Sequence, residues 1–412
     1  MKRYQACLAA AARCALLSAL TACGYHHDYN PPPPPPPSTN DGSNPTGLIQ
    51  GSDGNFYGTT ANGGRYGQGT FFRVTPEGAE SVLYSFVGGP GDGSNPEGVI
   101  EGSDGNFYGA TSGGGTGPCQ FGCGTAFKIT PDGAETVLYF FSGAADGGDP
   151  NPLIQGKDGN FYGTAAFGGV VSNLCGPGGC GVVFRLTPAG VETPIYSFTG
   201  GSADGAVAAS LIQGSDGNFY GVTAYGGESN DGTVFKVTTA GAETVLHSFA
   251  GGTDGALPQM PLTEGTDGNF YGTTPFGGAD SVGVVFRITP AGVETVLHAF
   301  AGGTADGAKP FTAMIQASDG NFYGATNAGG DATCVGGCGV VFKITPAGAE
   351  SVLYLFTASA ITGSQPPLPS ALLQGSDGNF YGTVANGGQF GVGTVFKLTA
   401  SGVESVLYSF GS

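Results

Sequence analysis

Carboxylates at fixed spacings are the side chains in this sequence that could do chemistry. Three acidic series recur along the chain, and Asp53, Glu80 and Asp41 are their first members. A glycoside hydrolase needs two carboxyl groups in different environments, one as the acid and the other as the nucleophile or base. Seven equivalent copies of Asp53 and of Glu80 do not supply that difference. We therefore assign no catalytic residue and expect structural roles for these carboxylates.

Asp53 opens a hexapeptide, Asp-Gly-Asn-Phe-Tyr-Gly, that marks a tandem repeat. The same six residues begin again at Asp104, Asp158, Asp216, Asp267, Asp319 and Asp377, at intervals of 51 to 58 residues. A unit of that length cannot bury a core alone, so the copies must stack on one another. The Asp-Gly pair is a strong hairpin-turn signal, which accounts for the first acidic series without catalysis.

Each unit is predicted to contain four short strands, which we name A to D. In the first copy they cover residues 48–50, 55–60, 70–75 and 80–86. Phe56 and Tyr57 point to opposite faces of strand B, so both faces must be buried, and Gly58 beside them indicates a close backbone approach. Four antiparallel strands repeated seven times predict an all-β, seven-bladed β-propeller with about 54 residues per repeat. The alternative is a β-solenoid, whose coils are usually shorter.

Composition excludes some partners. Among the 412 residues there are 80 glycines and no tryptophan, and the formal net charge is −18. Nucleic acids and anionic membrane surfaces attract basic patches, so neither is expected as a partner. Glycine-rich chains can be disordered, but 28 Phe and 17 Tyr at periodic positions predict a packed β core.

Six of the nine cysteines form close pairs in the B–C loops of repeats 2, 3 and 6. The pairs are Cys119/Cys123, Cys175/Cys180 and Cys334/Cys338. In an exported chain such pairs indicate disulfides, which would stiffen the three longest loops. A four-thiolate zinc site built by the pairs of repeats 2 and 3 is the alternative.

The N-terminus has the pattern of an export signal. Basic residues precede a short apolar run that ends in Leu-Thr-Ala-Cys23, which resembles the lipobox of bacterial lipoproteins. We predict a lipoprotein-type signal peptide over residues 1–22 and lipidation of Cys23; an ordinary signal peptide with an incidental Cys23 is the alternative. Residues 23–40 then form a tether stiffened by seven prolines, with His26 and His27 solvated, and the propeller covers residues 41–412.

The repeat resembles a known family. Its core is similar to the glycine-rich GloVer (Gloeobacter/Verrucomicrobia) tandem repeat of exported bacterial proteins, and Asp53 to Thr59 also resembles the D-G-N-[LF]-[WY]-G-T core of two-component-regulator propeller repeats. The resemblance covers about residues 41 to 412 and implies an extracytoplasmic propeller. It implies no activity. Because no transmembrane helix or kinase segment follows Ser412, we do not expect the sensor role to transfer.

Loop lengths distinguish the two faces of the predicted propeller. The A–B and C–D turns keep one length in all copies, whereas the B–C loops do not. From the glycine of Phe-Tyr-Gly to the phenylalanine of strand C, the distance is 14 residues in repeat 1 but 21 in repeat 3. Binding sites favour variable loops on a rigid scaffold. Any site should therefore lie on the face that the B–C and D–A loops share.

Aromatic residues on that face are the candidate ligand-binding residues. Three adjacent repeats place Phe167, Tyr225 and Phe276 before the Gly-Gly of the B–C loop. Aromatic rings on a polar rim can hold sugar rings or apolar peptide side chains; the alternative is that they pack under their own loops. Further candidates in the B–C loops are Arg65, Tyr66, Phe121 and Phe390.

The remaining polar series have simpler interpretations. An Asp-Gly pair in most D–A loops, beginning at Asp41, could supply oxygen ligands for calcium, but turn formation is favoured because the spacing of a dedicated calcium loop is absent. Arg73 precedes Glu80 by seven residues, which allows a cross-strand ion pair. His247 and His298 stand where other repeats carry tyrosine, and we interpret them as packing substitutes. No cofactor or metal site is predicted.

These features predict an exported, lipid-anchored binding or scaffold module at the bacterial cell envelope. The expected ligand class is a carbohydrate or an envelope protein, the only membrane contact is the lipid anchor, and the chain is expected to be a monomer. Two alternatives remain: a polysaccharide hydrolase or lyase that uses asymmetric loop residues, and a purely structural envelope spacer.

Overall fold

The computed structural model describes residues 41–357 and 368–411. The predicted signal peptide, Cys23, the tether and the Thr362-Gly363 pair of the seventh D–A loop lie outside the described residues. No helix in the described part of the chain is long and apolar enough to cross a membrane.

Seven antiparallel sheets follow one another along the chain, each with its four strands in the order A-B-C-D. Blade 1 contains Gly42–Gln50, Phe56–Gly63, Thr70–Val74 and Glu80–Ser85, and blade 2 contains Gly93–Glu101, Phe107–Gly114, Thr125–Ile129 and Glu135–Phe140. Blade 3 contains Gly148–Pro150 with Ile154–Gln155, then Phe161–Phe167, Val182–Leu186 and Glu192–Ser197. Blade 4 contains Gly205–Gln213, Phe219–Gly226, Thr233–Val237 and Glu243–Ser248. Blade 5 contains Thr263–Glu264, Phe270–Thr274, Val284–Ile288 and Glu294–Ala299. Blade 6 contains Gly307–Pro310 with Ile315–Gln316, then Phe322–Gly329, Val340–Ile344 and Glu350–Leu355. Blade 7 contains Pro369–Gln374, Phe380–Val384, Thr394–Leu398 and Glu404–Ser409.

The predicted seven-bladed all-β propeller is confirmed, with one correction to strand A. In blade 1 this strand begins at Gly42 rather than at residue 48, because an irregularity between Pro45 and Gly47 lets the pairing with strand B continue past the proline. The only helix among the described residues is the short 3-10 turn Gly89–Gly91. Strand A of blade 1 contacts strand A of blade 2 and of blade 7, which places strand A nearest the propeller axis.

The core lies between the blades, as the aromatic pair of strand B predicts. The tyrosine of each blade packs on the phenylalanine of the next, and Tyr57 and Phe107 have ring centroids 4.3 Å apart. The last such pair closes the ring, with 4.2 Å between Tyr381 and Phe56. A Cβ on Gly58 would lie 2.4 Å from the Gly47 carbonyl oxygen, so only glycine fits there. Within residues 41–357 and 368–411, the strands of each blade are consecutive in sequence, and no blade combines strands from the two ends of the propeller.

A second closed ring joins the A–B turns. In every blade the Gln or Glu that ends strand A accepts a hydrogen bond from a backbone N–H in the turn of the preceding blade; Ser52 N donates to Glu101 over 2.7 Å. The other donor and acceptor pairs are Ser103/Gln155, Lys157/Gln213, Ser215/Glu264, Thr266/Gln316, Ser318/Gln374 and Ser376/Gln50. This side of the propeller is therefore uniform and tied together around the full circle.

Candidate binding face

The opposite side carries the B–C and D–A loops, and we call it the variable face. Four predicted aromatic residues are exposed there: Tyr66 at 47%, Phe121 at 69%, Phe276 at 37% and Phe390 at 43%. They come from blades 1, 2, 5 and 7. The guanidinium of Arg65, which is also exposed, lies 5.5 Å from the centroid of the Tyr66 ring, so these two side chains form a cation–π pair.

Phe167 and Tyr225 differ from Phe276 in their surroundings. Both are half-buried. Tyr225 packs against the hydrophobic cluster between blades 3 and 4, which includes Phe198, and burial raises the pKa of its hydroxyl. The side chains of Phe167 and Tyr225 are thus only partly available to a ligand, and Phe276 is the most accessible of the three aromatic residues.

Aliphatic residues extend the exposed apolar surface and were not predicted. Val171 and Leu174 are exposed in the B–C loop of blade 3, and Val335 is 100% exposed in that of blade 6. The available signal was loop length, because these residues lie in two of the three longest loops. Every blade except blade 4 therefore presents an exposed apolar or aromatic side chain in its B–C loop.

The three predicted disulfides are confirmed, and they stabilise these long loops. Cys119–Cys123, Cys175–Cys180 and Cys334–Cys338 are bonded, each with 5.1 Å between Cα atoms. The second cysteine of each pair is fully buried within a hydrophobic cluster between blades. Each bridge therefore fixes a loop to the core. The four-thiolate zinc alternative is wrong, because all four thiols are consumed in disulfides.

Six blades have a left-handed backbone residue at the variable face, either within strand A or, in blade 5, before it. Asn44, Asn95, Asp149, Val207, Leu257 and Lys309 have φ between 53° and 58°. Each donates its backbone N–H to a carbonyl in the B–C loop of the preceding blade, as Val207 does to Cys180 over 2.8 Å. This conformation is unusual for a β-branched residue and costs on the order of 1–3 kcal/mol. Asn and Asp adopt this conformation more readily than most other residues, but three of the six positions carry Val, Leu or Lys. Residue type therefore did not reveal these positions in the sequence.

The first acidic series has the predicted turn role. Asp53 accepts hydrogen bonds from the Asn55 backbone N–H over 3.0 Å, the Asn55 amide over 2.7 Å and the Tyr57 hydroxyl over 2.8 Å. Burial would raise the pKa of Asp53, but these hydrogen bonds outweigh it and hold the pKa below its usual value.

Arg73 and Glu80 do not form the cross-strand ion pair that their spacing allows. Arg73 lies opposite Ser81 and Val74 opposite Glu80, so Arg73 and Glu80 point to different faces of the sheet. The lysines at this position pair instead with the turn aspartate of their own blade, as Lys128 does with Asp104 over 3.2 Å. The other pairs are Lys236/Asp216, Lys343/Asp319 and Lys397/Asp377.

The Glu80 series and the D–A aspartates meet between blades, which the sequence did not indicate. Tyr84 in strand D of blade 1 donates its hydroxyl to Asp92 over 2.9 Å, and the Val87 backbone N–H donates to the same carboxylate over 2.7 Å. Glu135, from strand D of blade 2, faces this group, and burial, then the charge of Asp92, raise its pKa to about 7. The aspartate is thus engaged in a tyrosine–aspartate–glutamate cluster at the interface. The regular interval of about eight residues between Tyr84 and Asp92 was the available signal.

Three interfaces depart from this pattern. His247 and His298 replace tyrosine and lie 3.4 Å from Asp254 and 3.2 Å from Asp306. Burial lowers the pKa of His247. Burial acts in the same direction on His298, but the hydrogen bond with Asp306 outweighs it and raises the pKa. At the remaining interface Tyr354 donates directly to Glu404 over 3.4 Å.

Comparisons with known proteins agree with this architecture. The model of the Gloeobacter/Verrucomicrobia repeat matches residues 37–173, 170–368 and 264–412. No curated protein matches the sequence. The chain is similar to the extracellular domain of a protein from B. thetaiotaomicron described as a hybrid two-component system, with 10% identity and a TM-score of 0.56 over 84% of this chain and 37% of that one. It is also similar to a puromycin-hydrolyzing peptidase of Mycobacterium tuberculosis, with 12% identity and a TM-score of 0.54 over 91% of this chain and 55% of that one.

A second extracellular domain from B. thetaiotaomicron, again described as part of a hybrid two-component system, has 12% identity and a TM-score of 0.42 over 88% of this chain and 46% of that one. The chain therefore spans less than two thirds of each of these three structures. At such low identity the likeness extends to the fold alone.

Proposed function

Because this chain belongs to the Gloeobacter/Verrucomicrobia repeat family, we propose that it is an exported propeller that binds a carbohydrate or an envelope protein on its variable face. The observation that carries the proposal is the contrast between the two faces. One is closed by a uniform ring of hydrogen bonds, and the other presents exposed side chains that differ from blade to blade. Ligands are commonly bound by variable loops on a rigid scaffold.

Chemistry of the variable face favours a neutral or apolar ligand surface. Tyr66, Phe121, Phe276 and Phe390 are exposed rings, and aromatic faces stack on the apolar faces of sugars or on peptide side chains. The net charge of −18 disfavours acidic polymers. The disulfides hold three of the loops in place, so less conformational entropy is lost when a ligand binds.

Export supports an envelope location for this activity. Disulfides persist in oxidising compartments outside the cytoplasm. We further propose that Cys23 carries the lipid anchor. Cells fed a radiolabelled fatty acid should incorporate label into the parent chain and not into Cys23→Ser. Label in the Cys23→Ser chain, or none in the parent, would contradict the anchor while leaving the binding proposal intact.

A glycan array probed with the full chain tests the binding proposal. We expect binding that is lost, by at least roughly 10-fold in affinity, in a Tyr66→Ala/Phe121→Ala/Phe276→Ala/Phe390→Ala variant. The matched control is Val191→Ala/Val293→Ala/Val403→Ala, which removes exposed apolar side chains at the C–D turns of the opposite face. Phe167→Ala and Tyr225→Ala are made separately because both side chains contribute to packing.

The outcomes separate the ligand classes. Equal loss in the control variant would contradict a site on the variable face. Absence of glycan binding by a folded chain would contradict the carbohydrate ligand, and crosslinking to envelope proteins that depends on the same four aromatic residues would then identify a protein partner. If the folded chain neither binds glycans nor crosslinks to an envelope protein, the alternative of a structural envelope spacer would be favoured.

A further inference from the structure

The interface between blades 5 and 6 brings together one histidine and two carboxylates. His298 comes from strand D of blade 5, Asp306 from the following D–A loop, and Glu350 from the start of strand D in blade 6. His298 Nε2 lies 3.2 Å from Asp306 Oδ2, and one ligand atom from each of the three residues lies within 4.8 Å of the other two. In the part of the chain that the structure describes, this is the only such group of three histidine, cysteine or acidic residues.

Histidine replaces tyrosine at this interface and at the one before it, but among the described residues only His298 belongs to a group of three possible ligands. Five of the seven strands D carry tyrosine at this position: Tyr84, Tyr139, Tyr196, Tyr354 and Tyr408. A tyrosine hydroxyl donates its proton to the aspartate, as Tyr84 does to Asp92, and offers no strong ligand to a cation. Histidine in its neutral form offers a nitrogen lone pair instead. His298 therefore converts a hydrogen-bonded pair into a set of one nitrogen and two oxygen donors.

The glutamate of this group has a carboxylate oxygen free to bind a ligand. Glu350 Oε1 is buried and has no hydrogen-bond partner among the described residues. The equivalent oxygen is also unpartnered in five other blades, but among the described residues only Glu350 lies in a group with both a histidine and an aspartate. Asp306, in contrast, accepts the backbone N–H groups of Ala301 over 2.8 Å and Gly307 over 2.6 Å, so its carboxylate is fixed in place. When Glu350 is ionised, its carboxylate faces that of Asp306, and a cation between the two would offset their repulsion and give the unpartnered oxygen a ligand.

We propose that His298, Asp306 and Glu350 bind a divalent transition-metal ion of the Zn²⁺ type, with a water molecule in the fourth position. One imidazole and two carboxylates suit zinc, which takes nitrogen and oxygen ligands at about 2.0–2.2 Å, whereas calcium requires six to eight oxygens. The Glu350 side chain moves inward to complete the coordination. Because the ligands come from two blades, the ion clamps blade 5 to blade 6. This inference is independent of the proposed binding face.

Zinc binding to the full chain tests the site. His26 and His27 could also bind metal, so the parent for this experiment carries His26→Ala and His27→Ala and is freed of metal with a chelator. After equilibrium dialysis against Zn²⁺ at neutral pH, we expect one ion per chain and a thermal unfolding midpoint that rises with Zn²⁺ concentration. Co²⁺ in place of Zn²⁺ should give the visible absorption of a coordinated ion.

Two variants remove ligands, and one serves as the control. His298→Tyr introduces the residue that most blades use, so it should fold normally while weakening Zn²⁺ binding by at least roughly 100-fold, more than the loss of an outer-shell partner. Glu350→Gln should act in the same direction. His247→Tyr makes the same substitution at the neighbouring interface and should leave one ion bound. No ion on the parent, or unchanged binding in a folded His298→Tyr chain, would overturn the proposal.

Discussion

The hydroxyl of Tyr408 donates a hydrogen bond to Asp41 Oδ2 over 2.9 Å. This contact joins the last strand of the propeller to the first described residue, and the Gly411 backbone N–H donates to the same oxygen over 2.7 Å. Asp92 holds Tyr84 in the same way within the chain. The seventh interface lies between blade 7 and blade 1, which no D–A loop connects. The hydrogen bonds to Asp41 therefore hold together two blades that are not consecutive in the chain.

Removing Asp41 should therefore loosen the end of the propeller. Asp41→Ala loses the hydrogen bonds to Tyr408 and Gly411, and we expect a loss of about 1.5–3 kcal/mol in the free energy of unfolding, since hydrogen bonds to charged groups contribute that much. Hydrogen exchange in Glu404–Ser409 should become faster. The control is Asp92→Ala, which should accelerate exchange in Glu80–Ser85 instead. Unchanged exchange in the last strand of Asp41→Ala would contradict a role for this residue in closure.

Much of the fold could be predicted from the sequence because the same packing contacts recur in every blade and require the same residue types at the same positions of the repeat. Phe56 and Tyr57 are both aromatic in every copy since both faces of strand B meet a neighbouring blade. The disulfides could be predicted for an equally local reason, since the paired cysteines are only four or five positions apart. Strand A was too short in the prediction because proline within it conceals the pairing that resumes on either side.

Contacts between repeats could not be predicted in the same way. Glu135 and Asp92 lie 43 positions apart, and only the stacking of blade 2 on blade 1 brings them together. The half-burial of Tyr225, in contrast to the exposure of Phe276, depends on how the neighbouring loop packs. Sequence patterns identify the variable face, and the three-dimensional arrangement decides which of its side chains a ligand can reach.

The close approach at Gly58 gives a sharp test of the blade geometry. A Cβ there would lie 2.4 Å from the Gly47 carbonyl oxygen and 2.6 Å from Phe72 Cζ. Gly58→Ala should therefore lower the free energy of unfolding by about 1–3 kcal/mol, as overpacking does. Gly91→Ala is the control, because its added methyl meets nothing within 4 Å, and its effect should stay within about 0.5 kcal/mol. Urea denaturation of both variants measures the difference, and equal effects would show that the blades adjust freely.

The disulfides should stabilise loops more than the whole propeller. Closing a loop of so few residues contributes about 2 kcal/mol in the chain-entropy model. Cys119→Ala/Cys123→Ala should therefore unfold at a modestly lower temperature while its far-ultraviolet circular dichroism stays unchanged. Limited proteolysis should now cut near Phe121, which is exposed in this loop. The B–C loop of blade 4, which has no cysteines, provides the internal comparison. Global unfolding of the variant would contradict the local role.

The interface glutamates should make stability fall as pH rises. Burial, then the charge of Asp92, raise the pKa of Glu135 from 4.5 to about 7. Below 4.5 this carboxyl is protonated in both states, so its stabilising contribution is complete. Between 4.5 and about 7 the unfolded chain loses the proton first, so the folded state binds more protons and stability decreases with pH. Equivalent groups at other interfaces, such as Glu80 and Glu192, act in the same direction.

Glu135→Gln isolates one of these contributions. The glutamine does not titrate, so the decline in the free energy of unfolding across that pH range should be shallower than in the parent, because one of the interface glutamates no longer contributes. Glu77→Gln is the matched control, since it removes one negative charge from an exposed turn of the same chain. Urea denaturation at a series of pH values gives the slopes, and a carbon-13 titration of the Glu135 carboxyl gives its pKa directly. The free energy of unfolding could instead change with pH equally steeply in both variants and in the parent. That result would show that Glu135 does not keep its proton in the folded state and that some other contact relieves its repulsion from Asp92.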